Sequence, residues 1–199
     1  MGGTKMLSQE EILEVMKKNG VLFEGHFRLS SGRHAARYLQ CAQLLQYPHV
    51  AGPLCEQLAQ KFAANKINIV IGPATGAIIL AYEVARALGA KALFTERDNG
   101  EMTLRRGFTI DSKDNVLVVE DIITTGGSTR EVMKVVQDCG ANIVGVGAIA
   151  DRSGGKVDLG VPIQALVTIE IPNYLPEECP LCKEGIPIVK PGSRPEAAV

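Results

Sequence analysis

The stretch Val116-Leu117-Val118-Val119-Glu120-Asp121-Ile122-Ile123-Thr124-Thr125-Gly126-Gly127-Ser128-Thr129 reads as three pieces of local structure in succession. Val116 to Val119 is an apolar, β-branched run, the pattern of a strand buried on both faces. Glu120 and Asp121 follow as an acidic edge. Thr124 to Thr129 is a small, hydroxyl-rich turn, and a helix pattern begins directly after it. Ser128 with Glu131 reads as a capping box, and Val132, Val135 and Val136 supply an apolar face. A loop of free backbone N–H groups at a helix N-terminus is an anion site, with phosphate the usual anion. The two acids repel phosphate. They suit sugar hydroxyls or a metal ion beside it. No G-x-x-x-x-G-K-[ST] and no dinucleotide-type G-x-G-x-x-G occurs.

Working outward, 199 residues fit one domain with a substantial core. A net charge of −1 gives no global basic field for nucleic acid. No apolar run reaches membrane length and no N-terminal signal pattern is present, so a soluble cytoplasmic protein is expected. Cysteines 41, 55, 139, 179 and 182 are odd in number and scattered, unlike a secreted disulfide framework.

Ser8 and Glu11 open a first helix that ends before Asn19-Gly20. Residues 21 to 46 read as a small β hairpin or ribbon. Pro48 starts a helix with Val50, Leu54, Leu58 and Phe62 on one stripe. Ile67 to Ile71 is a strand, 72 to 76 a turn, Ile78 to Leu88 a helix closed by Gly89, and Ala90 to Thr95 a strand. Residues 96 to 114 form a long, polar, Arg-rich connection. Asn142 to Ala150 and Ile163 to Ile169 are further strands, and Pro191 to Val199 reads as a disordered tail. Strands alternating with helices predict an α/β fold with a mostly parallel sheet flanked by helices. Ligands then bind beyond the carboxyl ends of the strands. Loops 72–76, 121–128 and 151–155 occupy such positions.

Four apolar residues, Glu-Asp, two apolar residues and Thr-Thr-Gly-Gly-Ser resemble the signature of the type I phosphoribosyltransferases. The resemblance implies that fold with a small N-terminal hood, as a single domain of about 1–46 (helix and hood), 47–172 (α/β core) and 173–199 (tail). It assigns Glu120 and Asp121 to the ribose hydroxyls of phosphoribosyl pyrophosphate (PRPP), and Thr124, Thr125, Gly126, Gly127 and Ser128 to its 5′-phosphate. Nearly the whole chain resembles the orotate branch of the family. Gly25 to Arg33 is similar to that branch's hood, Gly72-Pro73-Ala74 to its pyrophosphate-side loop, and Asp151-Arg152 to the pair that meets orotate. The tail through Cys179-Pro180-Leu181-Cys182 is similar to one bacterial branch. The implied reaction moves phosphoribose from PRPP to orotate, giving orotidine 5′-phosphate and pyrophosphate in pyrimidine (UMP) biosynthesis. Mg²⁺ enters with PRPP, without dedicated protein ligands.

Orotate carries a carboxylate, which a guanidinium meets through two parallel hydrogen bonds. Arg152 is the candidate, the alternative being a solvated surface arginine. Ser30, Ser31 and Gly32 are placed at the ring edge. Phe27 either packs on the base or belongs to the core of the hairpin.

The chain departs from the family where lysines are expected. Ser30 stands at the hood lysine position, Thr75 and Gly76 in the pyrophosphate-side loop. The segment from Glu96 to Gly107, corresponding to a mobile catalytic loop, contains no lysine. Arg97 and Arg105, together with Asp121, are the candidates for the catalytic role, with Arg106 and Thr75 on the pyrophosphate side. A charged, solvated hairpin is the competing reading of that segment. Arg28, two residues before Ser30 and so on the same face of a strand, is a further substitute. The family's loop closes over the neighbouring subunit's site, which implies a homodimer. Cys179 and Cys182 supply half a zinc site or simply turn the tail, and two such pairs meeting across a dimer would complete it. Histidines 26, 34 and 49 show no ligand spacing and receive no role. Two other functions stay open: a phosphoribosyltransferase for another nucleobase, and a non-catalytic PRPP-binding regulator.

Overall fold

The run Val116–Val119 lies in the middle of a six-stranded sheet in a computed structural model that describes residues 6–29 and 31–191. Ser30 and the expected disordered tail beyond Pro191 lie outside the described residues. In chain order the elements are α1 (Gln9–Lys18), β1 (Leu22–Arg28), β2 (His34–Leu39), α2 (Ala42–Leu45), α3 (Pro48–Gln60), β3 (Ile69–Pro73) and α4 (Ile78–Leu88). There follow β4 (Lys91–Asp98), β5 (Glu101–Leu104), β6 (Asn115–Ile123), α5 (Gly127–Asp138), β7 (Asn142–Asp151), β8 (Ile163–Thr168), β9 (Asn173–Tyr174) and α6 (Pro180–Lys183).

The main sheet runs β5-β4-β3-β6-β7-β8. All neighbouring pairs are parallel except β4 with β5. Alternation along β6 builds a core on each face. Leu117 and Val119 pack with Leu54 and Leu58 of α3 and Leu80 and Val84 of α4. Val116 and Val118 pack with Val132, Met133 and Val136 of α5. The chain leaves β3 for β4 on one side and returns to β6 on the other. The carboxyl ends of β3 and β6 therefore border a topological switch point, where open α/β sheets bind their ligands.

The hood is a separate antiparallel sheet, β1-β2-β9, so the tail supplies its third strand. Helix α1 begins with the expected capping box of Ser8 and Glu11.

Three expectations need correction. Helix α5 begins two residues earlier than the Ser128–Glu131 capping box would place it. Its N-cap is Gly126 in the left-handed region, without a side-chain cap, and Glu131 instead pairs with Arg97 at 2.6 Å. A glycine that reaches positive φ starts the helix without a hydroxyl. The connection 96–114 contains the end of β4 and all of β5, turned by Asn99-Gly100, both at positive φ. Residues 42–45, read as ribbon, form the short helix α2. No helix among the described residues is long and apolar enough to cross a membrane.

Candidate active site

Strand β6 carries Glu120 and Asp121 to the switch point on opposite faces, as successive strand residues must. Glu120 follows Val116 and Val118 toward α5, where Ser128 hydrogen-bonds its side chain. It is 6% exposed and its Oε2 has no hydrogen-bond partner. Burial first, and the Asp121 charge second, push its pKa up to about 8. Asp121 faces the loop after β3, and burial raises its pKa too. A Cβ on Gly76 would stand 3.0 Å from Asp121 Oδ2, so the glycine lets backbone approach the carboxylate. Such a pair offers acceptor oxygens to hydroxyl donors or a cation.

The loop after β6 is shaped by Gly126. Its φ is +76°, and a Cβ there would lie 2.9 Å from Arg130 Nη1 and 3.0 Å from Leu159. Arg130 clamps the loop, donating to the Thr125 carbonyl at 2.7 Å and the Asp158 carbonyl at 2.6 Å. The first N–H groups of α5 have no intrahelical acceptor and present an anion site with the helix dipole behind it. Thr75 is exposed in the loop that abuts Asp121.

Thr124 and Thr125 open onto a cavity of about 700 Å³ shared with the hood and the tail. Arg152 lines it, half-buried, with its pKa lowered by burial. Its backbone is held by an N–H bond to the Ile123 carbonyl at 2.8 Å. Asp151 shapes the turn behind it, accepting from Ser153 N–H and Oγ and from Gly155 N–H. Ser31 and Arg28 of the hood also line the cavity.

Phe27 is not at the cavity. It is 8% exposed and packs beside Tyr38 with ring centroids 5.9 Å apart. The core reading of Phe27 therefore holds, and Tyr38 is the aromatic ring at the cavity. Gly32 turns the hood at φ +79° but does not line the cavity.

The three loop arginines are not brought to this cavity. Arg97 donates to the Gly100 carbonyl and pairs with Glu131. Arg106 grips both oxygens of Glu96 at 2.8 Å. Arg105 reaches Asp98 only at 3.9 Å.

Sequence reading missed Tyr38, Asn173 and Lys190, all at the cavity wall. Asn173 is gripped by Arg33, and Lys190 follows Val189, whose N–H and C=O bond His26 and Arg28. It also missed His26 and His34, which meet Cys179 and Cys182 beneath the hood. Sequence separations of 148 to 156 residues leave no local signal for these meetings.

Residues 42–170 match the family model of the phosphoribosyl transferase domain. The chain is 57% identical over 188 residues to an orotate phosphoribosyltransferase of Pelotomaculum thermopropionicum, covering 94% of this chain and 99% of that one. It is 58% identical over 186 residues to the orotate phosphoribosyltransferase of Carboxydothermus hydrogenoformans, covering 92% and 97%. The crystal structure of orotate phosphoribosyltransferase from Aeropyrum pernix matches with a TM-score of 0.67 at 26% identity, over 79% of this chain and 93% of that one. Acidic pair, anion loop, arginine-lined cavity and these similarities agree: the chain belongs to the phosphoribosyltransferase family, in its orotate phosphoribosyltransferase branch.

Proposed function

We propose that the protein transfers phosphoribose from PRPP to a ring nitrogen of orotate, releasing pyrophosphate and orotidine 5′-phosphate. The observation that carries this reading is the single cavity joining Thr124 and Thr125 of the anion loop to Arg152, Tyr38 and the hood. It lets a sugar phosphate and a planar acid meet across the switch point.

The 5′-phosphate sits on the N–H groups of Gly126, Gly127 and Ser128, with the hydroxyls of Thr124, Thr125 and Ser128 around it. The ribose hydroxyls donate to Glu120 and Asp121, which supplies the partner that Glu120 Oε2 lacks. Arg152 takes the orotate carboxylate in its fork, with Ser31 at the ring edge and Tyr38 packing near the base. Arg28 and Lys190 add positive charge to the same wall. Anomeric carbon develops cationic character as pyrophosphate departs, so the chain's contribution is positioning and charge.

Mg²⁺ fits this donor set. The buried, unpartnered Glu120 oxygen and the adjacent Asp121 carboxylate are hard oxygen ligands, though a site built mainly on PRPP oxygens suits Mg²⁺ better than a protein cage. When bound, the ion neutralises charge on the departing pyrophosphate.

Arg97, Arg105 and Arg106 act on pyrophosphate from the β4–β5 hairpin of a neighbouring subunit, and Thr75 lies on the pyrophosphate side of the same centre. Two features support a homodimer. The arginines lie off their own cavity, and α4 exposes Ile79 at 48% and Tyr82 at 63%, apolar area of the kind that interfaces cover. Cytoplasmic location goes with this role.

The test is pyrophosphate release by purified protein given PRPP and Mg²⁺ with orotate, uracil, adenine, hypoxanthine or xanthine. Orotate alone is expected to release it. Release with another base would reassign the substrate, and none with any base would leave a PRPP-binding protein.

A further inference from the structure

We propose that His26, His34, Cys179 and Cys182 bind one structural Zn²⁺ that fastens the tail to the hood. The donor atoms of these residues all lie within 4.8 Å of one another, and the first three residues are buried. His26 Nε2 is 3.1 Å from His34 Nδ1, 3.5 Å from Cys179 Sγ and 3.7 Å from Cys182 Sγ. Cys182 Sγ is 3.2 Å from His34 Nδ1. A tetrahedron with Zn–N of about 2.0–2.1 Å and Zn–S of about 2.3 Å has N–N edges near ~3.3 Å and N–S edges near ~3.5 Å. The four separations above, 3.1 to 3.7 Å, lie close to those edges.

Hydrogen bonding within the cluster satisfies it only in part. His26 Nδ1 donates to the Ile186 carbonyl at 2.7 Å, because a carbonyl only accepts. In the neutral ring that leaves one lone pair, on Nε2, and three polar atoms converge on it. A cation satisfies all four donors together. The Ile186 bond is also the outer contact that metal-bound histidines make, fixing the tautomer and aiming Nε2.

The tail points to the same conclusion independently. From Pro172 to Pro191 the one fully buried side chain is Cys179. Helix α6 has four residues, too few to hold itself. Yet this segment is placed well enough for Val189 to bond both His26 and Arg28 and for Lys190 to reach the cavity. A closed site of two thiolates and two imidazoles supplies the missing anchor. Two thiolates balance the ion's charge, each thiol releasing its proton to solvent as the Sγ–Zn bond forms. Four protein ligands leave no open position, so the ion is structural.

Wild-type protein purified under reducing conditions without added metal is expected to carry about one zinc per chain by elemental analysis. Cys182→Ser, at the exposed ligand, and His34→Ala are expected to carry less than a fifth of that. Wild type stripped by a chelator and titrated with Co²⁺ is expected to give strong visible bands of tetrahedral cobalt with thiolate charge transfer. This arm holds even if a variant fails to fold. Wild type without zinc and with only the weak spectrum of octahedral Co²⁺ would overturn the proposal, as would variants that keep full zinc. None of these readouts depends on the enzymatic reading.

Discussion

Glu120 is a buried carboxyl with an unpartnered oxygen, and its pH behaviour follows. Its pKa near 8 in the folded chain compares with about 4.3 in an unfolded one. Between those values the folded state holds the extra proton, so ligand-free stability falls as pH rises through that window. Below it the penalty is absent, and above about 8 it is constant. Glu120→Gln keeps the shape and removes the titration. The ligand-free variant is expected to melt several degrees higher than wild type at pH 8, with the gain gone near pH 4.5, by scanning calorimetry. The same variant should bind PRPP at least about tenfold more weakly above pH 8, where the wild-type carboxylate is ionised and a charge-assisted acceptor is lost. A melting gain that grows toward acid pH would contradict this assignment.

At the scale of elements, the proposed phosphate loop depends on a backbone conformation. Gly126→Ala asks a side chain to adopt φ +76° and to displace Arg130, Leu159 and Val157. A loss of about 1–3 kcal/mol in urea unfolding and a raised KM for PRPP are expected. In the β4–β5 hairpin the partners rank the arginines. Arg106 is gripped by Glu96, while Arg105 has Asp98 at 3.9 Å. Arg105→Ala should therefore lower kcat more than Arg106→Ala, with KM for orotate nearly unchanged in both; the reverse order would make Arg106 the principal group. Elements with a strong period were legible: the β6 run, α1 with its box and α4 with Gly89. The start of α5 was not, because a positive-φ glycine leaves a weaker trace than Ser and Glu in capping register. The β4–β5 hairpin was legible only as the competing reading of its segment, because its charged residues mask a short edge strand.

At the scale of the molecule, a dimer that shares its sites can be rebuilt from two broken halves. On the proposed dimer, a Glu120→Ala, Asp121→Ala chain mixed with an Arg97→Ala, Arg105→Ala chain is expected to form heterodimers with one intact site. Random pairing then restores about a quarter of wild-type activity; no recovery in verified heterodimers would place the hairpin on its own subunit's site. The acidic pair, the anion loop and Arg152 were legible because each is local and sits at a strand end. Tyr38, Lys190 and the His26–His34–Cys179–Cys182 cluster were not, since they depend on the tail returning to the hood across some 150 residues.

The central claim is that the cavity between Thr124 and Arg152 joins PRPP to orotate. Steady-state loss of orotate absorbance, dependent on PRPP and Mg²⁺, tests it most directly when wild type is compared with Arg152→Ala. A lost charged hydrogen bond is worth about 1.5–3 kcal/mol, so KM for orotate should rise about ten- to a hundredfold while PRPP binding persists. Wild type that leaves orotate untouched, or a variant with unchanged KM, would contradict the account.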